Sequence, residues 1–195
     1  MVVAMSEPER RPLRADARRN RENIMEAARR VLSEHGPHLP LEEIARQADV
    51  STATLYRHFA NREELVHAVV ERRFADEVQP VITTALAGND PWEGLVQIIG
   101  ATLRSATTSP AWRESVSLVR DDAVAREFAR DRFLAPAGEL LRRAQAAGTV
   151  RADVEEADLA PIMRMMRALV ITPEDSTAGT WKRYLALMLR AATAG

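Results

Sequence analysis

Leu41-Glu42-Glu43-Ile44-Ala45-Arg46-Gln47-Ala48-Asp49-Val50-Ser51-Thr52-Ala53-Thr54-Leu55-Tyr56-Arg57-His58-Phe59 is the stretch on which the fold turns. Leu41, Ile44, Ala45 and Ala48 recur at helical spacing, Asp49-Val50 breaks the run, and a second short helix follows with Leu55 and Phe59 on one side. Ser51 suits the N-cap of that second helix, because its side-chain oxygen can accept from a free amide of the first turn. At about 100° per residue, Ala53, Thr54, Tyr56 and Arg57 fall away from Leu55 and Phe59. The outer face therefore carries a small residue, a hydroxyl, a phenol and a guanidinium. A face of that make-up fits a DNA major groove, where hydrogen-bonding side chains meet base edges and cationic or phenolic ones hold phosphate.

With the segment that follows, Ala60-Asn61-Arg62-Glu63-Glu64-Leu65, the string Thr54-Leu55-Tyr56-Arg57-His58-Phe59 resembles the DNA-binding domain of the TetR/AcrR family of bacterial transcriptional regulators. The resemblance covers roughly residues 16 to 70. It implies an all-α chain, with an N-terminal three-helix helix-turn-helix domain and a larger helical ligand-binding and dimerisation domain. It also implies roles by position. Thr52, Ala53, Thr54 and Tyr56 match the groove-facing positions, with Tyr56 and His58 more often holding backbone phosphate, and the N-cap Ser51 counts with them among the DNA-binding residues. Arg57 can reach a base or a phosphate, and Arg62 matches a basic residue that touches phosphate beside the reading helix. Two departures stand out. The family commonly starts its second helix with Thr or Ser and then a basic residue, where this chain has Pro40, Leu41 and Glu42; its turn usually has Gly, where this chain has Asp49. Asp tolerates a left-handed backbone because its short side chain can bond locally.

The composition agrees with a helical globular protein. The 195 residues are 46% hydrophobic and 28% charged, Gly is sparse, and strand-length β-branched runs are missing. With no cysteine, thiolate catalysis, disulfides and Cys-based metal sites are excluded. No metal and no cofactor are expected. No run reaches the ~20 apolar residues that a membrane span needs, and the N-terminus lacks a signal-like apolar core, so a cytoplasmic location is expected. The net charge of −1 is uninformative, but Arg10, Arg11, Arg14, Arg18, Arg19 and Arg21 make the N-terminal arm basic.

Three segments are expected: a disordered arm over 1–15, the helix-turn-helix domain over 16–63, and the helical second domain over 64–195. The first predicted helix runs from near Asp16 to Glu34, buries Ile24, Ala27, Ala28, Val31 and Leu32, and closes at Gly36-Pro37. The next begins at Pro40. Asn61 and Glu64 read as a capping box before a rod of four turns or more. Beyond Val78-Gln79-Pro80, breaks at Gly88-Asn89, Ser109-Pro110, Gly148 and Thr172-Pro173 divide five or six further helices, one kinked at Pro136 and the last spanning about 177–192.

By resemblance, the second domain holds an effector among its central helices, and DNA is released when it binds. The adaptable apolar candidates are Trp92, Ile99, Leu103 and Trp112, with Phe128, Phe133, Met163 and Met166. The last two helices are apolar over more than the ~100° stripe that one core uses, so they are read as a dimer interface. Its candidates are Leu159, Ile162, Met166, Leu169 and Val170 on one helix, and Trp181, Tyr184, Leu187 and Met188 on the other. A twofold pair repeats the DNA contacts across a palindromic operator. Catalysis has little to stand on. His35 and His38 straddle Gly36-Pro37, and no phosphate loop, nucleophile elbow or paired-acid motif occurs. The expected function is a homodimeric regulator, a repressor, released by a small, largely apolar molecule. A regulator with no ligand, and an all-helical binding protein or enzyme with an incidental helix-turn-helix, are the alternatives.

Overall fold

A computed structural model of the chain describes residues 10–38, 40–119, 122–170 and 179–190, with residues 10–15 described by their helical backbone alone. Among the described residues every regular element is helical: α1 Arg10–His35, α2 Leu41–Gln47, α3 Thr52–His58, α4 Arg62–Glu77, α5 Gln79–Ala87, α6 Pro91–Ala106, α7 Pro110–Ser117, α8 Ala123–Ala129, α9 Ala135–Ala146, α10 Leu159–Leu169 and α11 Thr180–Leu189. A single antiparallel bridge joins Val150 to Arg190.

The helix starts follow the side-chain chemistry. Oxygens of Ser51, Asn61, Asp90, Ser109 and Asp122 each accept from the backbone N–H three residues on. Pro91 and Pro110 stand just after two of these caps, where a missing N–H costs nothing. Gly36 closes α1 at φ +74° and Gly148 follows α9 at φ +70°, a region that glycine enters freely.

Four boundaries differ from expectation. Residues 10–15 of the expected disordered arm are helical, and residues 1–9 lie outside the described set. Pro12 is only the third residue of α1, so its absent N–H is one that the first turn leaves unbonded anyway. Pro40 is the residue before α2, at φ −58° and ψ 145°, and not its first turn. The kink expected at Pro136 is a π-helical turn over Arg130–Leu134, in which the Ala135 N–H reaches back five residues to the Arg130 carbonyl. Pro136 has no N–H for the carbonyl four residues before it, and the widened turn carries the chain past that gap. The last helix is shorter than expected, Thr180–Leu189; the expected break at Thr172-Pro173 lies outside the described residues.

Two hydrophobic cores form. The first joins Ile24, Ala27, Ala28, Val31 and Leu32 of α1 to Leu41, Ile44, Ala45, Leu55 and Phe59. Leu65, Val66 and Val69 from the first half of α4 complete it, together with Trp112 and Val119 from α7 and its end. Packing therefore does not divide at residue 63, because the first half of α4 and α7 belong to the head. Ser109 and Ser115 tie α7 to α1 by donating to the carbonyls of Ser33 (2.6 Å) and Leu32 (3.2 Å). The second core gathers α5, α6, α9, α10 and α11. Arg143 locks α9 to the end of α5 by donating to the carbonyls of Leu86 (2.7 Å) and Gly88 (2.6 Å). The Trp181 indole lies so close on Gly100 of α6 that a Cβ there would stand 3.1 Å from the ring.

Candidate nucleic-acid interface

The turn between α2 and α3 is built on Asp49, the one described non-glycine residue with positive φ, at +53°. Its carboxylate-bearing side chain accepts the left-handed position that the sequence assigns to it. The Val50 N–H then returns to the Ala45 carbonyl at 3.0 Å, which turns α3 away from α2. Ser51 begins α3, its Oγ accepting from the Thr54 N–H at 3.1 Å. Leu55 and Phe59 are fully buried and anchor α3 to α1 and α4. Transfer of such side chains from water is worth about 1.5–3 kcal/mol each, so the orientation of this two-turn helix is set by its inner face.

The outer face is open. Ser51, Ala53, Tyr56 and Arg57 are exposed, while Thr52, Thr54 and His58 are half-buried at its edges. Tyr56, a large ring, keeps 46% of its surface in solvent. The His58 carbonyl accepts from Arg21 Nη1 at 3.2 Å, and the Arg21 guanidinium stacks 4.3 Å from the Phe59 ring centroid. Burial first, and then the charges of Arg21 and Arg57, push the His58 imidazole below its ordinary value. Arg62 is half-buried and donates to the Pro37 carbonyl, so it pins the α1–α2 loop to the start of α4. Asn61 caps α4 as expected, but Glu64 returns its bond to the Ala60 N–H at 2.7 Å and not to that of Asn61.

The acidic start of α2 is partly compensated. Arg46 and Gln47 both donate to the Glu43 carboxylate, which holds it well below the usual range, at about 2. On the neighbouring α1, Arg18, Arg19 and Arg21 are exposed. The sequence marks Arg21 only as one of a basic run and does not single out Arg73. A lone Arg in a helix carries no motif, and only the fold shows that Arg21 meets Phe59.

Arg73 is the buried cation of α4. It pairs with Glu77 (3.0 Å), donates to the Thr108 hydroxyl and stacks 4.7 Å from the Trp112 ring centroid. Two further contacts join α4 to α8: His67 Nε2 stands 2.6 Å from Asp122 Oδ2, and the rings of Phe74 and Phe128 meet edge-to-face with centroids 5.1 Å apart. His67 and Phe128 thus bridge helices. His38 lies 3.0 Å from Glu114 on α7. Among the described residues, no group of three or more His, Asp or Glu is placed to hold a metal ion, and no helix is long and apolar enough to cross a membrane.

The expected effector residues do not surround one cavity. Ile99, Leu103, Phe133, Met163 and Met166 pack together inside the second core, and Trp92 lies on its edge under Arg190. Trp112 is part of the first core and Phe128 meets α4, so the sequence places both in the wrong set of neighbours. An open cleft of about 430 Å³ lies elsewhere, between α5, α6 and α11, walled by Val81, Val96 and Trp181 with Thr84, Gln97 and Arg104.

The expected interface residues also divide. Leu159, Ile162, Met166, Val170 and Trp181 are turned into the subunit's own core and have almost no surface left for a partner. Leu169, Tyr184 and Leu187 are exposed, Met188 is half-buried, and Met165, which the sequence reading passes over, is exposed beside them. Met165 and Leu169 lie one turn apart along the edge of the stripe that holds Ile162 and Met166, with Leu169 only about 20° from Ile162 around the helix, so the broad apolar face of α10 is buried along one edge and open along the other.

Comparison with known proteins agrees with this architecture. Residues 24–69 match the family model of bacterial regulatory proteins, tetR family, and residues 90–191 match that of the SbtR-like transcriptional regulator C-terminal domain. A crystal structure of a TetR transcription regulatory protein from Mycobacterium vanbaalenii is 36% identical, covers 92% of this chain and 100% of its own, and superposes with a TM-score of 0.58. A TetR transcriptional regulator from Streptomyces coelicolor is 27% identical, covers 89% and 99%, and gives 0.61. RolR in complex with resorcinol shares the fold at 18% identity, 92% of each chain and a TM-score of 0.69. An HTH-type transcriptional regulator from Mycobacterium tuberculosis is 36% identical over 94 residues, which are 46% of this chain. That match spans 45% of the length of this curated relative. The helix-turn-helix head, the helical second domain and these likenesses together make the chain a member of the TetR family of bacterial transcriptional regulators.

Proposed function

We propose that the protein is a homodimeric repressor that binds a palindromic operator through α3 and releases it when a small molecule binds the second domain. The observation that carries this is the outer face of α3, where Ala53, Tyr56 and Arg57 stand in solvent on a helix whose opposite side is fully buried. Thr52 and Thr54 border that face, and Ser51, His58 and Arg62 lie at its ends, within reach of the phosphate walls of a groove. A second copy related by a twofold axis through the exposed side of α10 and α11 repeats the contacts across a palindrome.

An effector is supported by the fold neighbours, one of which is a complex with resorcinol and another a gamma-butyrolactone receptor. The cleft between α5, α6 and α11 lies within the ~300–1,000 Å³ range of small-molecule sites, with an indole wall and an Arg104 anchor. A ligand there acts on DNA only by its differential affinity for two packings of the domain. The route to the head is α4, gripped by Thr108 and Trp112 through Arg73 and by Asp122 through His67.

The test is duplex retention at fixed salt with wild type and Tyr56→Ala, followed by addition of hydrophobic compounds that raise the melting temperature. Wild type should retain a specific palindrome, Tyr56→Ala should bind it about tenfold or more weakly with a flatter salt dependence, and a stabilising compound should release it. Unchanged affinity in Tyr56→Ala contradicts the orientation of α3. Unchanged affinity with saturating compound contradicts the coupling.

A further inference from the structure

We infer that Arg57 reads a guanine in each half of the operator and that the Thr54 hydroxyl positions it; this rests on the DNA-binding reading of α3 above. Three independent observations converge.

The first is direction. At about 100° per residue, Ala53 and Arg57 each fall within roughly 20° of the pole opposite buried Leu55, and Thr54 and Tyr56 lie about 80° to either side. Ala53 and Arg57 at the pole are exposed, as is Tyr56 on one side, while Thr54 on the other is half-buried. A helix seated in a groove therefore sends Arg57 toward the floor and Tyr56 toward a wall. Ala53, one turn earlier, leaves room for the long side chain, since helical side chains lean toward the N-terminus. That lean brings the guanidinium over the first turn of α3, the part of a reading helix that meets base edges.

The second is fixation. Arg57 Nη2 donates to Thr54 Oγ1 at 2.9 Å, and Thr54 Oγ1 lies 2.9 Å from Ser51 Oγ, which in turn accepts the Thr54 N–H. The N-cap thus orders the threonine and the threonine orders the arginine. A guanidinium has five N–H donors in a planar fork. Whichever Nη2 hydrogen Thr54 takes, one two-pronged edge stays open, the edge that matches O6 and N7 of guanine.

The third is charge. Several exposed arginines of the head are engaged by carboxylates within a turn, Arg29 by Glu26, Arg46 by Glu43 and Arg72 by Asp76, whereas Arg21 donates to a carbonyl. Among the described residues, Arg57 has a hydroxyl partner and no carboxylate. Its charge is uncompensated while its geometry is set, a combination that suits a directed contact in a negative groove.

The experiment selects duplexes from a randomised double-stranded DNA pool with the full chain, in parallel for wild type, Arg57→Ala, Arg57→Lys and Thr54→Val, each first checked for an unchanged melting temperature. Wild type should enrich a symmetric motif with one strongly required G·C pair in each half. Arg57→Ala should lose the requirement at that pair alone and bind the wild-type motif roughly tenfold or more weakly, while Arg57→Lys, which can still donate to guanine without the planar fork, should keep the pair at reduced affinity. Thr54→Val should relax the same pair without changing the salt slope. Replacing that guanine by 7-deazaguanine should weaken wild type and leave Arg57→Ala unaffected. If Arg57→Ala loses affinity but still requires the same G·C pair, Arg57 is a phosphate contact and the inference is wrong. If wild type enriches no motif at all, the DNA-binding reading fails with it. A motif whose required pairs are untouched by either arginine substitution overturns the inference and leaves that reading intact.

Discussion

The double substitution Leu169→Glu/Leu187→Glu is expected to leave the subunit folded, convert the protein from dimer to monomer in solution, and lower operator affinity by about a hundredfold or more. Both side chains stand at 45% and 66% exposure in the single chain, so a charge there meets water and not the core. With Met165 and Tyr184, each 47% exposed, they leave apolar surface open on both α10 and α11. A symmetric pairing apposes that surface with its own copy, and four carboxylates introduced into such a seam repel one another. The loss in affinity follows from specificity. One helix-turn-helix holds one half-site, and the excess of specific over non-specific binding, roughly 10³–10⁷, depends on both. Light scattering with chromatography gives the mass, and duplex binding gives the affinity. A dimer that survives the double substitution places the interface elsewhere.

The second large effect is expected at Trp112. Trp112→Ala should destabilise the protein by about 3–5 kcal/mol and disorder the DNA-binding head first. The indole is 1% exposed and packs with residues of α1 and α4, although it lies in sequence well inside the second domain. Its Nε1 donates to the Ser105 carbonyl at 2.9 Å, and Arg73 stacks on its face. Removing the ring leaves a cavity and a carbonyl without its donor. It also strips a buried guanidinium of a cation–π partner worth roughly 0.5–2 kcal/mol. Denaturant titration should show a lower midpoint, and amide exchange should accelerate in α1 and α2 before α9. Equal loss of protection across both cores contradicts the assignment of α7 to the head.

These three residues also show what sequence does and does not reveal. Local chemistry was legible. Ser51, Asn61, Asp90 and Ser109 cap where their side chains and following residues imply, Asp49 takes the left-handed turn, and the buried stripe of α1 is the one its periodicity picks out. Periodicity marks an apolar face but not the face it meets. Trp112 has the spacing of a second-domain residue and the contacts of a head residue. Leu159, Ile162 and Trp181 share the apolar breadth of α10 and α11 with Leu169 and Leu187, yet they fill the subunit's own core. Arg21, Arg73 and His67 act through partners 37, 35 and 55 residues away, separations that no local pattern encodes. The site face of α3 was readable because it lies within a few residues of chain. The cleft beside Trp181 was not, because α11 closes it against α5 and α6 from a distant part of the chain.

The central claim is that α3 is presented twice by a symmetric pair to the major groove of one duplex. Methylation interference on a duplex retained by the wild-type protein tests it most directly, since guanine N7 lies on the floor of that groove. The account predicts two equivalent interfering clusters in the major groove, on one side of the duplex, with centres one helical turn (~34 Å) or somewhat more apart. A single cluster, interference confined to the minor groove, or no dependence on guanine methylation contradicts it.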